Sequence, residues 1–276
     1  MNAFTKYLIS KGHNLKLYDI DCSKAQALAE KNGCQWSNSL HNVIADTDAT
    51  FLCIPIREIP KIIRRIAPRM KNGSILCEIA SLKAGTVATL RRIKKRGVRP
   101  LSVHPMFGPD VEKIEGQTVV VVPVLDRDEE AHMARSLFPD TKNIVVDAET
   151  HDRCMVSILA LPYFMNLAFA CTLSLEKLSI MRELAGTTFT VQLAVTQSIV
   201  GESPELIESL IKENMFSEEM LIRFIDESKH IMRLLRDDPH GFRNLCENLS
   251  DSMESDVLFA RGIRNELFEK VKSRTL

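Results

Sequence analysis

The sequence predicts an α/β domain with a mostly parallel sheet over residues 1–147, followed by an all-helical domain over residues 148–276. Three observations lead there. Up to Asp147, short continuous apolar runs alternate with helical segments of about ten residues, the pattern of strands covered on both faces. Beyond Asp147 the strand signals stop and helical periodicity alone remains. The length, 276 residues with 45% apolar and 26% charged side chains, suits two soluble domains that each bury a core.

Taken in order, Asn2 to Lys11 is helix-like and ends at Gly12, after which Leu15 and Leu17 alternate in a short strand closing on Tyr18-Asp19. Ser23 can cap a helix that runs to Asn32 and stops at Gly33. Next come the apolar run Ala49 to Ile54, a helix opening near Pro60, a strand Ser74 to Ile79 and a helix Thr86 to Arg96. Strands at 101–104 and 118–122, a helix at 128–137 and a last strand at 143–146 complete the first domain. Segments 150–176, 178–200, 204–213, 217–237 and 239–272 carry helical periodicity, and Ser203-Pro204 and Asp238-Pro239 are helix starts.

Thirty-six basic against thirty-six acidic residues give no electrostatic footprint for nucleic acid, and the run Arg91 to Arg96 is a solvated helix face. Seven scattered cysteines without Cys-x-x-Cys spacing suit reduced thiols and a cytoplasmic setting. The apolar stretch Met155 to Leu175, interrupted by Ser157, Pro162, Asn166 and Thr172, is expected as a buried helix rather than a membrane span. The seven histidines show no metal-ligand spacing.

The chemistry concentrates in Ser102-Val103-His104-Pro105-Met106-Phe107-Gly108-Pro109-Asp110. Pro105 holds His104 extended at a strand end, and Gly108-Pro109 turns the chain. Ligands of open α/β sheets bind outside the carboxyl ends of the strands, so His104 stands at the ligand edge. Its ordinary pKa near 6.5 suits a proton acceptor, or a structural residue with a satisfied ring. At the other strand ends, Asp19 is placed to accept hydrogen bonds from ribose hydroxyls and to repel a 2′-phosphate, with Asp21 able to take the same role.

The segments YLISKGHNLKLYDID, TDATFLCIPI, EIASLK, HPMFGP, ETHDR, GTTFTVQLAV and SPEL, in this order, resemble the prephenate dehydrogenases of archaeal and enteric-bacterial type over essentially the whole chain. The resemblance implies a Rossmann-like domain followed by an all-α dimerisation domain, a nicotinamide dinucleotide and a homodimer, and Asp19 favours NAD over NADP. It also implies the oxidative decarboxylation of prephenate to 4-hydroxyphenylpyruvate in tyrosine biosynthesis. His104 then falls at the base position and Ser81 at that of the serine that orients it, although Ser81 also suits a helix N-cap. Cys53-Ile54-Pro55 falls beside the cofactor, while Lys83, Gly108 and Asp152 fall to the substrate. Because the neutral ring is required, the rate should fall as pH drops through the ordinary histidine range.

Two departures from the family stand out. No Gly-x-Gly-x-x-Gly turn occurs, and aligning Lys11-Gly12-His13 with relatives leads to the expectation that about 12 upstream residues encode a strand and a glycine-rich loop. Ala160-Leu161-Pro162-Tyr163-Phe164 stands where enteric relatives carry an arginine for a substrate carboxylate, and Thr190 where some relatives have another. Lys83, Arg153 and Arg182 are the cations left for that task. Fewer arginines would suit an amino-bearing substrate, arogenate or 4-amino-4-deoxyprephenate. A catalytically idle homologue serving as a ligand-binding or scaffolding dimer is the alternative from another class.

Overall fold

The computed structural model describes residues 2–93, 97–108, 111–173, 177–253 and 257–273. Lys94, Lys95 and Arg96 of the basic run, and Pro109 and Asp110 of the His104 segment, lie outside them. The chain forms two compact units, Met1–Met155 and Val156–Leu276.

In the first unit, α1 (Asn2–Ser10), β1 (Lys16–Leu17), α2 (Cys22–Asn32), β2 (Gln35–Trp36), α3 (Leu40–Ile44) and β3 (Ala49–Leu52) lead into α4 (Ile59–Ile66) and β4 (Ile75–Glu78). There follow α5 (Ala84–Arg91), β5 (Arg99–Pro105), β6 (Thr118–Val121), α6 (Arg127–Leu137), β7 (Lys142–Val145) and α7 (Ala148–Met155). One sheet has the order β3-β4-β5-β6-β7, parallel except where β6 runs antiparallel to β5; β1 and β2 form a separate parallel pair. The mostly parallel, doubly covered sheet read from the sequence is therefore present.

Strand alternation divides the core. Leu76, Val120 and Val122 pack with Ile59, Ile63, Ile66 and Leu90 on one side. Cys77, Val119 and Val121 pack with Phe4, Leu8, Leu101 and Phe138 on the other. A side-chain period of two on β4 and β6 sends successive residues to opposite layers.

Several boundaries move, each for a local reason. The cap of α2 is Asp21, whose carboxylate accepts from the Ser23 amide, in place of Ser23. Both residues of β2 are exposed, so no apolar alternation marked it in the sequence. Helix α5 opens at Ala84 and ends at Arg91, shorter than expected. By its contacts helix α7 goes with the first unit, which extends to Met155, because its Asp152 bonds the backbone that opens α5.

The second unit is helical: a π-helical turn (Val156–Ala160), α8 (Leu161–Leu173), α9 (Leu178–Leu184), α10 (Thr187–Val200), α11 (Pro204–Lys212), α12 (Ser217–Asp237), α13 (Pro239–Ser252) and α14 (Val257–Lys272). The expected helix 178–200 is broken where Ala185 and Gly186 turn extended. Helix α10 packs against α8 and α14, and Asn166 on α8 accepts from Gln192 Nε2 and Thr196 Oγ1 on α10, both at 2.7 Å. Ala148–Leu173 is long and apolar enough to cross a membrane by length and composition, yet only 22% of its most apolar stretch is buried within the chain. The expectation of a buried helix is corrected: much of that apolar surface faces outward from this single copy.

Candidate active site

Strand β5 delivers His104 opposite Val120 of β6, near the carboxyl end of the strand, as its Pro105 context required. The ring is 5% exposed. Its Nδ1 lies 3.0 Å from Nε2 of His151, and His151 Nδ1 lies 2.8 Å from Oδ1 of Asp152. The Asp152 carboxylate also accepts from two successive backbone amides, Lys83 N to Oδ1 and Ala84 N to Oδ2, each at 2.9 Å. A chain of three side chains therefore runs from the first turn of α5 through α7 to the end of β5.

Beneath it lies a second buried network. Lys83 Nζ donates to Glu78 Oε1 at 2.9 Å and to the Val103 carbonyl at 2.6 Å. Glu78 Oε1 accepts in addition from Thr86 Oγ1 and from the Ser102 hydroxyl, while Oε2 accepts from the Ala80 amide. Both charged side chains of the pair have no exposed surface. A fully enclosed ion pair persists only when its remaining donors and acceptors are met, and here the carboxylate is met by four donors.

Burial, then the positive charge of Lys83, then His151 push the pKa of His104 down to about 2. The imidazole is thus held neutral throughout the physiological range. Burial pushes the Asp152 carboxyl upward, but the hydrogen bonds from His151 and the Ala84 and Lys83 amides outweigh it, and the group sits below the usual carboxylate range.

Three assignments change. Ser81 is half-buried and makes no hydrogen bond to His104; the ring nitrogen available for orientation is engaged by His151 instead. Nor does Ser81 cap α5, whose first amides are taken by Asp152. Lys83 is turned inward with no exposure, so its ammonium is not presented to a ligand carboxylate. Asp152, 4% exposed, is occupied by an imidazole and two amides rather than standing free to meet substrate. Gly108 is exposed just beyond β5. Arg153 pairs with Glu149, and Arg182 is exposed at the end of α9.

The cofactor candidates stand at the carboxyl ends of parallel strands. Asp19 follows β1, half-buried, and its Oδ1 accepts from the Asp21 amide at 2.9 Å. Cys53, Ile54 and Pro55 follow β3; Ile54 and Pro55 are exposed, and burial pushes the Cys53 thiol up to about 12. Strand ends of this kind are where open α/β sheets take a dinucleotide; a glycine-rich pyrophosphate loop is not among the chain's residues. Glu78, Ser102 and Thr86 carried no functional signal in the sequence, while His151 was legible only within the family motif ETHDR.

Comparison with known proteins shows the family and the fold. The family model described as prephenate dehydrogenase, nucleotide-binding domain, matches residues 4–146, and that described as prephenate dehydrogenase, dimerization domain, matches 147–254. A Methanocaldococcus jannaschii protein named probable arogenate/prephenate dehydrogenase is 24% identical over 92% of this chain and 58% of its own length. A Haemophilus influenzae T-protein is 24% identical over 90% of the chain and 63% of its own length. The chain thus spans roughly three fifths of these curated relatives. Among solved structures, prephenate dehydrogenase from A. aeolicus, in complex with hydroxyphenyl propionate and NAD+, superposes with a TM-score of 0.75 at 17% identity, covering 92% of this chain and 93% of its own. Synechocystis arogenate dehydrogenase does so with a TM-score of 0.68 at 19% identity, covering 92% and 95%. By its sequence and its two-part architecture, this chain belongs to the prephenate dehydrogenase family.

Proposed function

We propose that the protein is an NAD-dependent dehydrogenase that converts prephenate to 4-hydroxyphenylpyruvate, working in the cytoplasm as a homodimer. The observation that carries this reading is His104: buried, held neutral, with Nδ1 engaged and Nε2 without a partner among the described residues. The dinucleotide, when bound, supplies the hydride acceptor. His104 Nε2 takes the proton of the ring hydroxyl as positive character grows on the carbon that bears it. Burial excludes water from that proton, and the low pKa keeps the acceptor unprotonated before substrate arrives. Asp19 at the end of β1 supports NAD over NADP, since a carboxylate disfavours a 2′-phosphate. Exposed apolar surface along Ala148–Leu173 and a match to a dimerization-domain model support the homodimer.

Arogenate is the second reading. It is favoured by the inward turn of Lys83, which removes one cation from the substrate side, and by the naming of two relatives. The deciding assay gives purified protein NAD or NADP with prephenate, arogenate or 4-amino-4-deoxyprephenate. Turnover of prephenate with NAD is expected, and His104→Asn should lower kcat by roughly 10²–10⁴ with much less change in KM. Inactivity toward all three substrates overturns the reading.

A further inference from the structure

Resting on the reading of His104 as the proton acceptor, we propose that His151 and Asp152 are its positioning residues, a carboxylate–imidazole–imidazole relay that selects the His104 tautomer with the proton on Nδ1 and the lone pair on Nε2. The Asp152 carboxylate accepts the Lys83 and Ala84 amides and is ionised, so it offers only lone pairs. In the 2.8 Å contact with His151 Nδ1, histidine is therefore the donor. In the proposed relay His151 carries its one proton on Nδ1 and a lone pair on Nε2, and across the 3.0 Å contact His104 Nδ1 is then the donor. His104 Nε2 is left as the acceptor.

The surrounding frame holds this arrangement at both ends. The Lys83 amide fixes Asp152, and the Lys83 ammonium, anchored by Glu78, bonds the carbonyl of Val103 immediately before His104. One buried residue thus ties the anchor of the relay to the strand that carries its terminus. The same ammonium disfavours a second proton on the His104 ring. His151 itself is 1% exposed, so no water stands in for the bond it makes. Without that acceptor, nothing in this arrangement keeps the His104 proton on Nδ1, and a proton on Nε2 leaves no lone pair where the hydroxyl must deliver its own.

The test reads the tautomer directly, without substrate. Two-bond 1H–15N correlations of the imidazoles are recorded on the uniformly 15N-labelled full chain, with His104→Asn to assign the His104 signals. The wild type should show Nδ1–H on His104, and His151→Leu should move the proton to Nε2. In parallel, kcat with prephenate and NAD should fall roughly 10²–10⁴-fold in His151→Leu at nearly constant KM. It should recover to within about tenfold in His151→Gln, whose carboxamide oxygen can still accept from His104 Nδ1. An Nε2–H tautomer in the wild type, a doubly protonated His151, Nδ1–H persisting in His151→Leu, or equal loss of kcat in the leucine and glutamine variants overturns the relay. The wild-type spectrum decides even where His151→Leu does not fold. A chain that turns over none of the substrates yet shows the tautomer switch loses the proposed function and keeps the relay.

Discussion

At the scale of single residues, placing His104 as a neutral ring has a cost that pH exposes. In the unfolded chain its pKa returns to near 6.5, whereas in the native state it is about 2. Between those values the unfolded state binds a proton that the native state does not, so stability rises with pH across the window and is lost as pH falls below 6.5. The contribution amounts to about 2 kcal/mol between pH 7 and pH 5. Urea unfolding at the two pH values should show this loss in the wild type and a loss smaller by about 2 kcal/mol in His104→Asn; equal losses would mean the ring is not held neutral. The Lys83–Glu78 pair makes a second prediction. Lys83→Met leaves a carboxylate enclosed without its cation and should destabilise the fold by about 3–5 kcal/mol. Adding Glu78→Gln should restore a large part of that, and additive losses in the double variant would show that the two charges do not depend on each other. Lys83 itself was legible as a residue near the site. Its direction was not, because a lysine turned outward to a ligand and one turned inward to a carboxylate have the same local sequence.

At the scale of elements, helix starts divide into those capped from nearby and those capped from afar. Helix α6 belongs to the first kind. Asp126 accepts from the Asp128 and Glu129 amides, and the buried Glu130 carboxylate accepts from the Val124, Leu125 and Asp126 amides. Glu130→Ala strands three amides at the turn between β6 and α6 and should cost about 2–4 kcal/mol. Asp126→Ala, whose amide partners are exposed, should cost about 1 kcal/mol. Chemical denaturation of the two variants checks the order, and a larger loss for Asp126→Ala would reverse the assignment. Helix α5 belongs to the second kind: its cap comes from Asp152, 69 residues along the chain. Its cap was therefore not legible locally: Ser81 offered the nearest hydroxyl, while helical periodicity marked the start at Thr86, two residues late.

For the whole molecule, the two units were readable because their apolar patterns differ: short continuous apolar runs between helices up to Val145, and a helical period of about 3.6 alone beyond. The outward-facing apolar length of Ala148–Leu173 argues at this scale for a second copy. Light scattering of the purified chain should give twice the 31.2 kDa mass at micromolar concentration, with an interface on the order of 2,000 Å² or more expected for an obligate pair. A monomer under those conditions removes the dimer from the proposed function.

The longer strands and helices, the two-part division and the place of His104 at a strand end were legible in the sequence. Apolar periodicity, proline and glycine act within a few residues, so their consequences are local and legible. The contacts of His104 come from the packing of the fold. Its partner His151 is 47 residues away, and the carboxylate that fixes His151 is itself fixed by amides 68 and 69 residues distant. Ser81, close in sequence to the same site, was passed over. In a buried site the side chain that bonds a ring is the one the packing of β5, α5 and α7 brings within about 3 Å of it, and no local pattern encodes that distance.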